Sequence, residues 1–125
     1  MKKLILLIVV IIISACLYLY IFQNHRNIAN ETSSYETNTI NLINEFFINP
    51  TDSETKYLNK TIEVTGNVTD IDLKNITIDK IVFCQFHENI ETLTKSSQLI
   101  IKGRFIGYDD LLNQIKLDQC IIIKN

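Results

Sequence analysis

Apolar residues follow three successive patterns along the chain, and the first pattern is an unbroken run. Residues 4–22 contain no charged side chain, and Ser14 is the one clearly polar interruption. As a helix that rises about 1.5 Å per residue, this run would reach about 28 Å, close to the hydrocarbon thickness of a bilayer. It therefore predicts a transmembrane helix over about residues 4–22, within an N-terminal membrane anchor of residues 1–26.

The charges that flank this run predict its orientation. Lys2, Lys3 and the amino terminus precede it, whereas Arg26 follows it and no acidic residue occurs before Glu31. Under the positive-inside rule, the N-terminus is cytoplasmic. We therefore expect a single-pass protein of the cell membrane whose C-terminal part is periplasmic or otherwise extracytoplasmic.

Two other interpretations of the apolar run stay open. A cleaved secretory signal requires a small-residue cleavage site, and Ser14-Ala15 is the one candidate, although the apolar run continues past it. The stretch Ile13-Ser14-Ala15-Cys16 resembles a bacterial lipobox, in which the cysteine carries the lipid. Cys16 is thus either the lipidation site of a lipoprotein or a small apolar residue of a signal-anchor helix.

The second pattern is helical. Residues 27–37 are polar without a sustained period, and they predict a tether. Apolar residues then recur at helical spacing from Ile40 to Phe47, which predicts a short helix over about residues 38–48. Pro50 is suited to the first turn of a second short helix that ends near residue 58. We therefore expect a helical hairpin to lead into the strands.

The third pattern has a period of two. Apolar and polar residues alternate from Ile62 to Val68, and the phase changes near Thr69-Asp70, as it does at a β-bulge. Further strands are predicted at residues 76–78, 81–86, 99–105 and 115–124. Gly66 and Gly103 fall inside strands, where glycine marks a bulge or a sharp bend. A mainly β fold follows, with a five-stranded OB-type barrel in a domain of residues 38–125 that includes the helical hairpin.

Several short motifs occur in an order and spacing that point to one family. They are residues 57–68, Cys84-Gln85-Phe86, Lys102-Gly103, Gly107-Tyr108 and residues 117–120, preceded by a His25-Arg26 pair behind the anchor. Over residues 25–124, this arrangement resembles the tRNA_anti-like family of small bacterial OB-fold proteins. The resemblance implies the OB fold, and the family has no settled activity. Transfer of tRNA binding to this chain would rest on fold analogy alone.

The charge beyond the anchor is acidic. From Asn27 onward, 9 basic residues stand against 14 acidic ones, a net charge of −5. A general nucleic-acid binder shows the opposite balance, so only a local basic patch would suit such a ligand.

Two cysteines are placed for a possible cross-link. Cys84 and Cys120 fall on the third and fifth predicted strands of the barrel. In an oxidising compartment they are candidates for a disulfide, and the alternative is a pair of buried free thiols.

The sequence contains no pattern that is typical of catalysis or metal binding. His87, Glu88 and Glu91 have no second histidine or cysteine at ligand spacing, and the adjacent Asp109 and Asp110 would diverge in a turn. No Gly-rich phosphate loop and no nucleophile motif occurs. We therefore expect a protein that is not an enzyme and that uses no metal or cofactor.

These patterns favour a membrane-tethered OB binding module at the cell envelope, with a protein, peptide or glycan as its ligand. OB barrels bind oligomers on the face of their second and third strands and on the adjoining loops. The candidate ligand-binding residues on this face are Lys74, Lys80, Phe83, Gln85 and His87.

Two further functions remain as alternatives. Binding of single-stranded nucleic acid would need exposed aromatic rings in a basic groove. The residues that could provide them are Phe83 or Tyr108 beside Lys80, Lys102 and Arg104. A structural role in envelope assembly would instead recruit partners through the transmembrane helix.

Overall fold

The computed structural model describes residues 1–22, 26–90 and 92–124. Helices come first along the chain and most strands follow, as the change of hydrophobic period predicts. The elements are α1 (Lys2–Ile21), a 3-10 turn (Ile28–Asn30), β1 (Tyr35–Asn38), α2 (Thr39–Ile48), α3 (Pro50–Tyr57), β2 (Thr61–Ile71), β3 (Asn75–Ile78), β4 (Val82–Phe86), β5 (Gln98–Asp109) and β6 (Gln114–Lys124).

Strands β2 to β6 close into a barrel. β3 pairs antiparallel with β2 and with β4, and β5 pairs antiparallel with β2 and with β6. The circle is completed by β4 and β6, which run parallel. The predicted mainly β fold, a five-stranded OB barrel with short helices before it, is therefore confirmed.

The core of the barrel follows the alternation seen in the sequence. Ile62, Val64 and Val68 on β2 are fully buried, and the register of β2 against β3 shifts between Val68 and Asp70. The bulge predicted near Thr69-Asp70 is thus present. At Gly66, a Cβ would lie 2.2 Å from Cγ2 of Ile78, so only glycine allows β3 to approach this closely.

Helices α2 and α3 cover one end of the barrel. The Asn38 side chain caps α2 by accepting a hydrogen bond from the amide of Asn41 at 2.8 Å. Phe46 of α2 is buried, and its ring centroid lies 5.4 Å from that of Phe105 and 4.9 Å from that of Tyr108. Aromatic packing of this kind fixes the helical hairpin on the barrel.

Residues 27–37 differ from the predicted tether because they are folded onto the barrel. Ile28 is buried, and β1 pairs parallel with β2, with Tyr35 opposite Ile62. The Ser33 hydroxyl donates a hydrogen bond to Glu63 at 2.7 Å. Backbone pairing and polar contacts hold this segment, and neither produces a hydrophobic period in the sequence.

α1 is long and apolar enough to cross a membrane, and none of its residues is buried against the rest of the protein. It runs from Lys2 to Ile21, close to the predicted 4–22. A signal sequence near an N-terminus can also be long and apolar enough to meet this criterion.

Replacement of Phe46 by alanine is expected to lower the free energy of unfolding by about 3–5 kcal/mol, the usual cost of truncating a buried phenylalanine. The adjacent Phe47 is 82% exposed, against 1% for Phe46, and supplies a matched control. Phe47→Ala should change the free energy by less than about 0.5 kcal/mol. Urea unfolding of the full chain in detergent micelles, followed by circular dichroism, measures both variants. Equal losses would contradict the described packing of α2.

Candidate functional site

A groove of about 870 Å³ opens between three segments, and we call it the β6 groove. Three parts of the chain border it: residues 120–122 of β6, the end of β4 with residues 87–90, 92 and 93 after it, and residues 27 and 29. Its apolar lining residues are Phe86, Ile90, Leu93, Cys120, Ile121 and Ile122, and its polar ones include His87, Asn89 and Thr92. A recess of about 510 Å³ continues it past Ala29 to Arg26.

The β6 groove contains a strand edge that no other described strand pairs with. The parallel ladder of β4 and β6 ends where Phe86 pairs with Cys120, because β4 ends there. β6 continues to Lys124. Beyond Cys120, β5 is the one described strand that pairs with it. Within residues 121–123, the backbone N–H and C=O groups that point away from β5 therefore have no strand partner among the described residues.

A cluster that we call the Arg26–Glu31 clamp holds the chain beside the groove. The Arg26 guanidinium donates to both carboxylate oxygens of Glu31, with 2.7 Å between Nη2 and Oε2, and its Nη1 donates to the Asn59 carbonyl at 2.5 Å. The Thr61 hydroxyl donates to the same carboxylate at 2.6 Å. These hydrogen bonds, first from Arg26 and then from Thr61, lower the pKa of Glu31 to about 2.

Two cations on the outer face of β5 are engaged by neighbouring groups. Lys102 is 8% exposed, and its Nζ donates to the Ala29 carbonyl at 3.4 Å. Arg104 donates two hydrogen bonds to Asp118, at 2.8 and 2.5 Å, and these raise the pKa of the guanidinium. The basic groove that would combine Lys102 and Arg104 with an aromatic ring is therefore not formed in the described residues.

The five predicted ligand-binding residues lie in separate places. Gln85 pairs with Asn75, directly after Lys74, and His87 lies just beyond β4 on the β6 groove. Lys80 lies in the β3–β4 turn, at the opposite end of both strands. The structure thus brings Lys74, Gln85 and His87 towards one end of β4 and leaves Lys80 at the other.

Phe83 lies between these two ends on the outer face of β4. It is half-buried, and its register partners are Thr77 on β3 and Lys116 on β6. Tyr108 does not belong to this face, because its ring packs against Phe46 of α2. The face therefore offers one aromatic ring beside one cation.

The three cysteines are free thiols in the structure. Cys84 and Cys120 are buried in the barrel, and Cys16 is exposed on α1. Lipidation of Cys16 and a bond between Cys84 and Cys120 stay predictions.

Two residues of the sequence analysis, His25 and Glu91, lie outside the described residues. Elsewhere in the described chain, no group of three or more His, Cys, Asp or Glu side chains could hold a metal ion. His87 is exposed in the connection after β4.

Sequence reasoning missed the apolar side of the β6 groove. Ile90 and Leu93 fall in a polar stretch that predicts a solvated loop, yet both pack against the core. The sequence predicts Ile121 and Ile122 only as part of the last strand, with no role in a groove. The available signals were two apolar residues three positions apart in a polar connection, and three successive isoleucines that break the alternation of a strand.

Comparison with known proteins agrees with the resemblance seen in the sequence. A family model described as tRNA_anti-like matches residues 1–116. Among solved structures, one from Klebsiella pneumoniae subsp. pneumoniae MGH 78578, provisionally described as a nucleic acid-binding lipoprotein, is similar with a TM-score of 0.54 and 18% identity. The match covers 73% of this chain and 93% of that one, and it shows a shared fold. No curated protein sequence matches the chain.

The Arg26–Glu31 clamp is expected to make stability depend on pH. Because the folded pKa of Glu31 is about 2 and its ordinary value is 4.5, the carboxylate stabilises the fold above pH 4.5, and this contribution is lost as the pH falls towards 2. Glu31→Gln should therefore lower the urea midpoint at pH 7, and its difference from the parent protein should shrink between pH 4.5 and 2. Glu36→Gln, at an exposed carboxylate of β1, is the control. A constant difference across this pH range would contradict the clamp.

Proposed function

The chain belongs to the tRNA_anti-like family, and we propose that it is a membrane-tethered, non-enzymatic binding module whose β6 groove takes up an extended apolar peptide segment. The observation that carries this proposal is the unpaired edge of β6 at residues 121–123, beside mainly apolar walls. The sequence favours a protein, a peptide or a glycan as the ligand. Of these three, a peptide fits an unpaired strand edge best.

An extended peptide matches both features of the groove. Its backbone would continue the sheet by pairing with residues 121–123, as in β-strand addition. Its alternate side chains would then point into the groove, towards walls that include Ile90 and Leu93. A glycan has no regular row of backbone amides and carbonyls with which to continue the ladder.

The charge of the groove favours an uncharged ligand over a phosphate backbone. Glu88 is among its described lining residues and lysine is not. Arg26, at the continuation of the groove, is already bound to Glu31. Phe86 and the imidazole of His87 are the rings among the described lining residues, and they are adjacent in the chain, whereas single-strand binders stack successive bases along a positively charged groove.

Binding of single-stranded nucleic acid is the second candidate, and it would use a different surface. Phe83 is flanked by Lys116 on β6, and Lys74 and Lys80 are exposed at the two ends of β3. The description of the similar K. pneumoniae protein as nucleic acid-binding supports this class of ligand.

The proposed place of action is the cell envelope. Two observations support it: α1 is apolar and long enough to span a bilayer, and the similar K. pneumoniae protein is described as a lipoprotein. The lysines before α1 favour an extracytoplasmic barrel. Attachment through an uncleaved α1 or through a lipid on Cys16 would leave the barrel on that same side.

The peptide proposal is tested by removing one apolar group from the groove wall. Full chain in lipid nanodiscs is titrated with a fluorescein-labelled peptide of alternating leucine and serine, and anisotropy gives the Kd. Leu93→Ser should raise the Kd about 10- to 100-fold, because the peptide loses the burial of a leucine side chain. Leu73→Ser, at a leucine that is 73% exposed in the β2–β3 turn, should leave the Kd unchanged. Equal effects at both positions would place the peptide elsewhere.

An oligothymidylate of about 12 nucleotides, labelled in the same way, tests the second candidate. Phe83→Ala should abolish any binding of this probe and leave peptide binding unchanged, because Phe83 lies outside the β6 groove. Binding of the oligothymidylate with no binding of the peptide would overturn the peptide proposal and assign the nucleic-acid function.

Reporter fusions after Asn125 test the location of the barrel. Alkaline phosphatase is expected to be active in intact cells and green fluorescent protein to be dark, because the barrel should lie outside the cytoplasm. The opposite pair of results would place the barrel in the cytoplasm and contradict the envelope role.

A further inference from the structure

We propose that Cys84 and Cys120 form a disulfide inside the barrel, and that Cys120 is the thiol that reacts first with an incoming disulfide. The two residues lie on β4 and β6, the parallel neighbours that close the barrel. Cys84 is fully buried and Cys120 is 4% exposed. This inference does not depend on the ligand of the β6 groove.

A bulge in β6 turns Cys120 into the barrel. Ile115 and Leu117 point inward, so strict alternation would direct residue 119 inward and residue 120 outward. Gln119 has a left-handed backbone with φ 49°, and the ladder shifts between the Cys84–Leu117 and Phe86–Cys120 pairs. The extra residue reverses the alternation, so Cys120 is buried in place of Gln119.

The neighbouring strand β5 leaves room for this thiol. A Cβ on Gly103 would lie 2.6 Å from Sγ of Cys120, a distance that no side chain tolerates. Gly103 does not have a positive φ, so no turn requires glycine there. The position is explained by the space that the Cys120 sulfur occupies.

The thiols of Cys84 and Cys120 are close neighbours, and Cys120 borders the β6 groove. Burial raises the pKa of Cys84 well above its ordinary value, and the neighbouring Cys120 thiol raises it further. Cys84 makes one weak contact with a backbone acceptor, from Sγ to the Val82 carbonyl at 3.9 Å. Cys120 lines the β6 groove, whereas Cys84 does not. A reagent that enters the groove therefore meets Cys120 first.

Two exchange steps would form the bond. The Cys120 thiolate attacks one sulfur of an incoming disulfide, either a small molecule or a protein thiol oxidase, and one thiolate leaves. The Cys84 thiolate then attacks the Cys120 sulfur of the mixed disulfide, and the second thiolate leaves. The two cysteines give up two protons and two electrons, which convert the incoming disulfide into two thiols.

Glutathione disulfide serves as the probe. The folded full chain with Cys16→Ser, in detergent micelles, is oxidised, quenched in acid, and then denatured with N-ethylmaleimide for mass spectrometry. We expect no maleimide label after oxidation and two labels after reduction, with a Tm that is higher in the oxidised protein by on the order of 10 °C. Two labels after oxidation of a chain that circular dichroism shows to be folded would overturn the proposal.

Single variants on the same Cys16→Ser background test the order of attack. Cys84→Ala should retain one glutathione on Cys120, because the resolving thiol is absent. Cys120→Ala should retain none, because Cys84 is sealed in the core. Glutathione on Cys84 but not on Cys120 would overturn the assigned order. If either variant fails to fold, the label count of the Cys16→Ser protein still decides whether the bond forms.

Discussion

The parallel pairing of β4 with β6 closes the barrel. Because this ladder is short, it also determines where the β6 groove and the buried thiols lie. β4 ends at Phe86, opposite Cys120, while β6 continues to Lys124. The excess length of β6 forms the open edge in the β6 groove. The same ladder contains the bulge at Gln119, which brings Cys120 both into the core and onto the groove. The candidate binding site and the thiol pair therefore both depend on how β6 departs from β4, in length and in register.

Lys102 of β5 helps to hold the N-terminal segment to the barrel. Lys102 is almost completely removed from solvent, and the Ala29 carbonyl partly offsets the cost of its desolvation. Arg104 is bound to Asp118, and Arg26 to Glu31. A count of basic residues on a strand would make this surface a candidate for phosphate, whereas in the structure Arg104 is paired with a carboxylate and Lys102 donates to a backbone carbonyl. Whether a basic strand can bind phosphate therefore depends on the partner of each cation, which the sequence does not show.

The barrel could be predicted because its information is local. The alternation from Ile62 to Val68 identifies both the strand and its inward face, and the phase change after it identifies the bulge. The fold of residues 27–37 could not be predicted, because its contacts reach about thirty positions along the chain, as from Ser33 to Glu63. The bulge in β6 is an intermediate case. Asp118-Gln119 interrupts the alternation, but the three isoleucines that follow hide which of them faces the core.

The Arg26–Glu31 clamp also limits how far the barrel can travel. From Phe22, at the end of α1, to Arg26 the chain covers four residue steps, about 14 Å at full extension. If α1 stays in a membrane, as proposed, the barrel is held within that reach of it. A partner embedded in the same membrane would then meet the barrel by diffusion in two dimensions, close to the membrane surface. Such a partner would have to present its binding segment within a barrel's width of the bilayer, and one that extends far from the membrane would be out of reach.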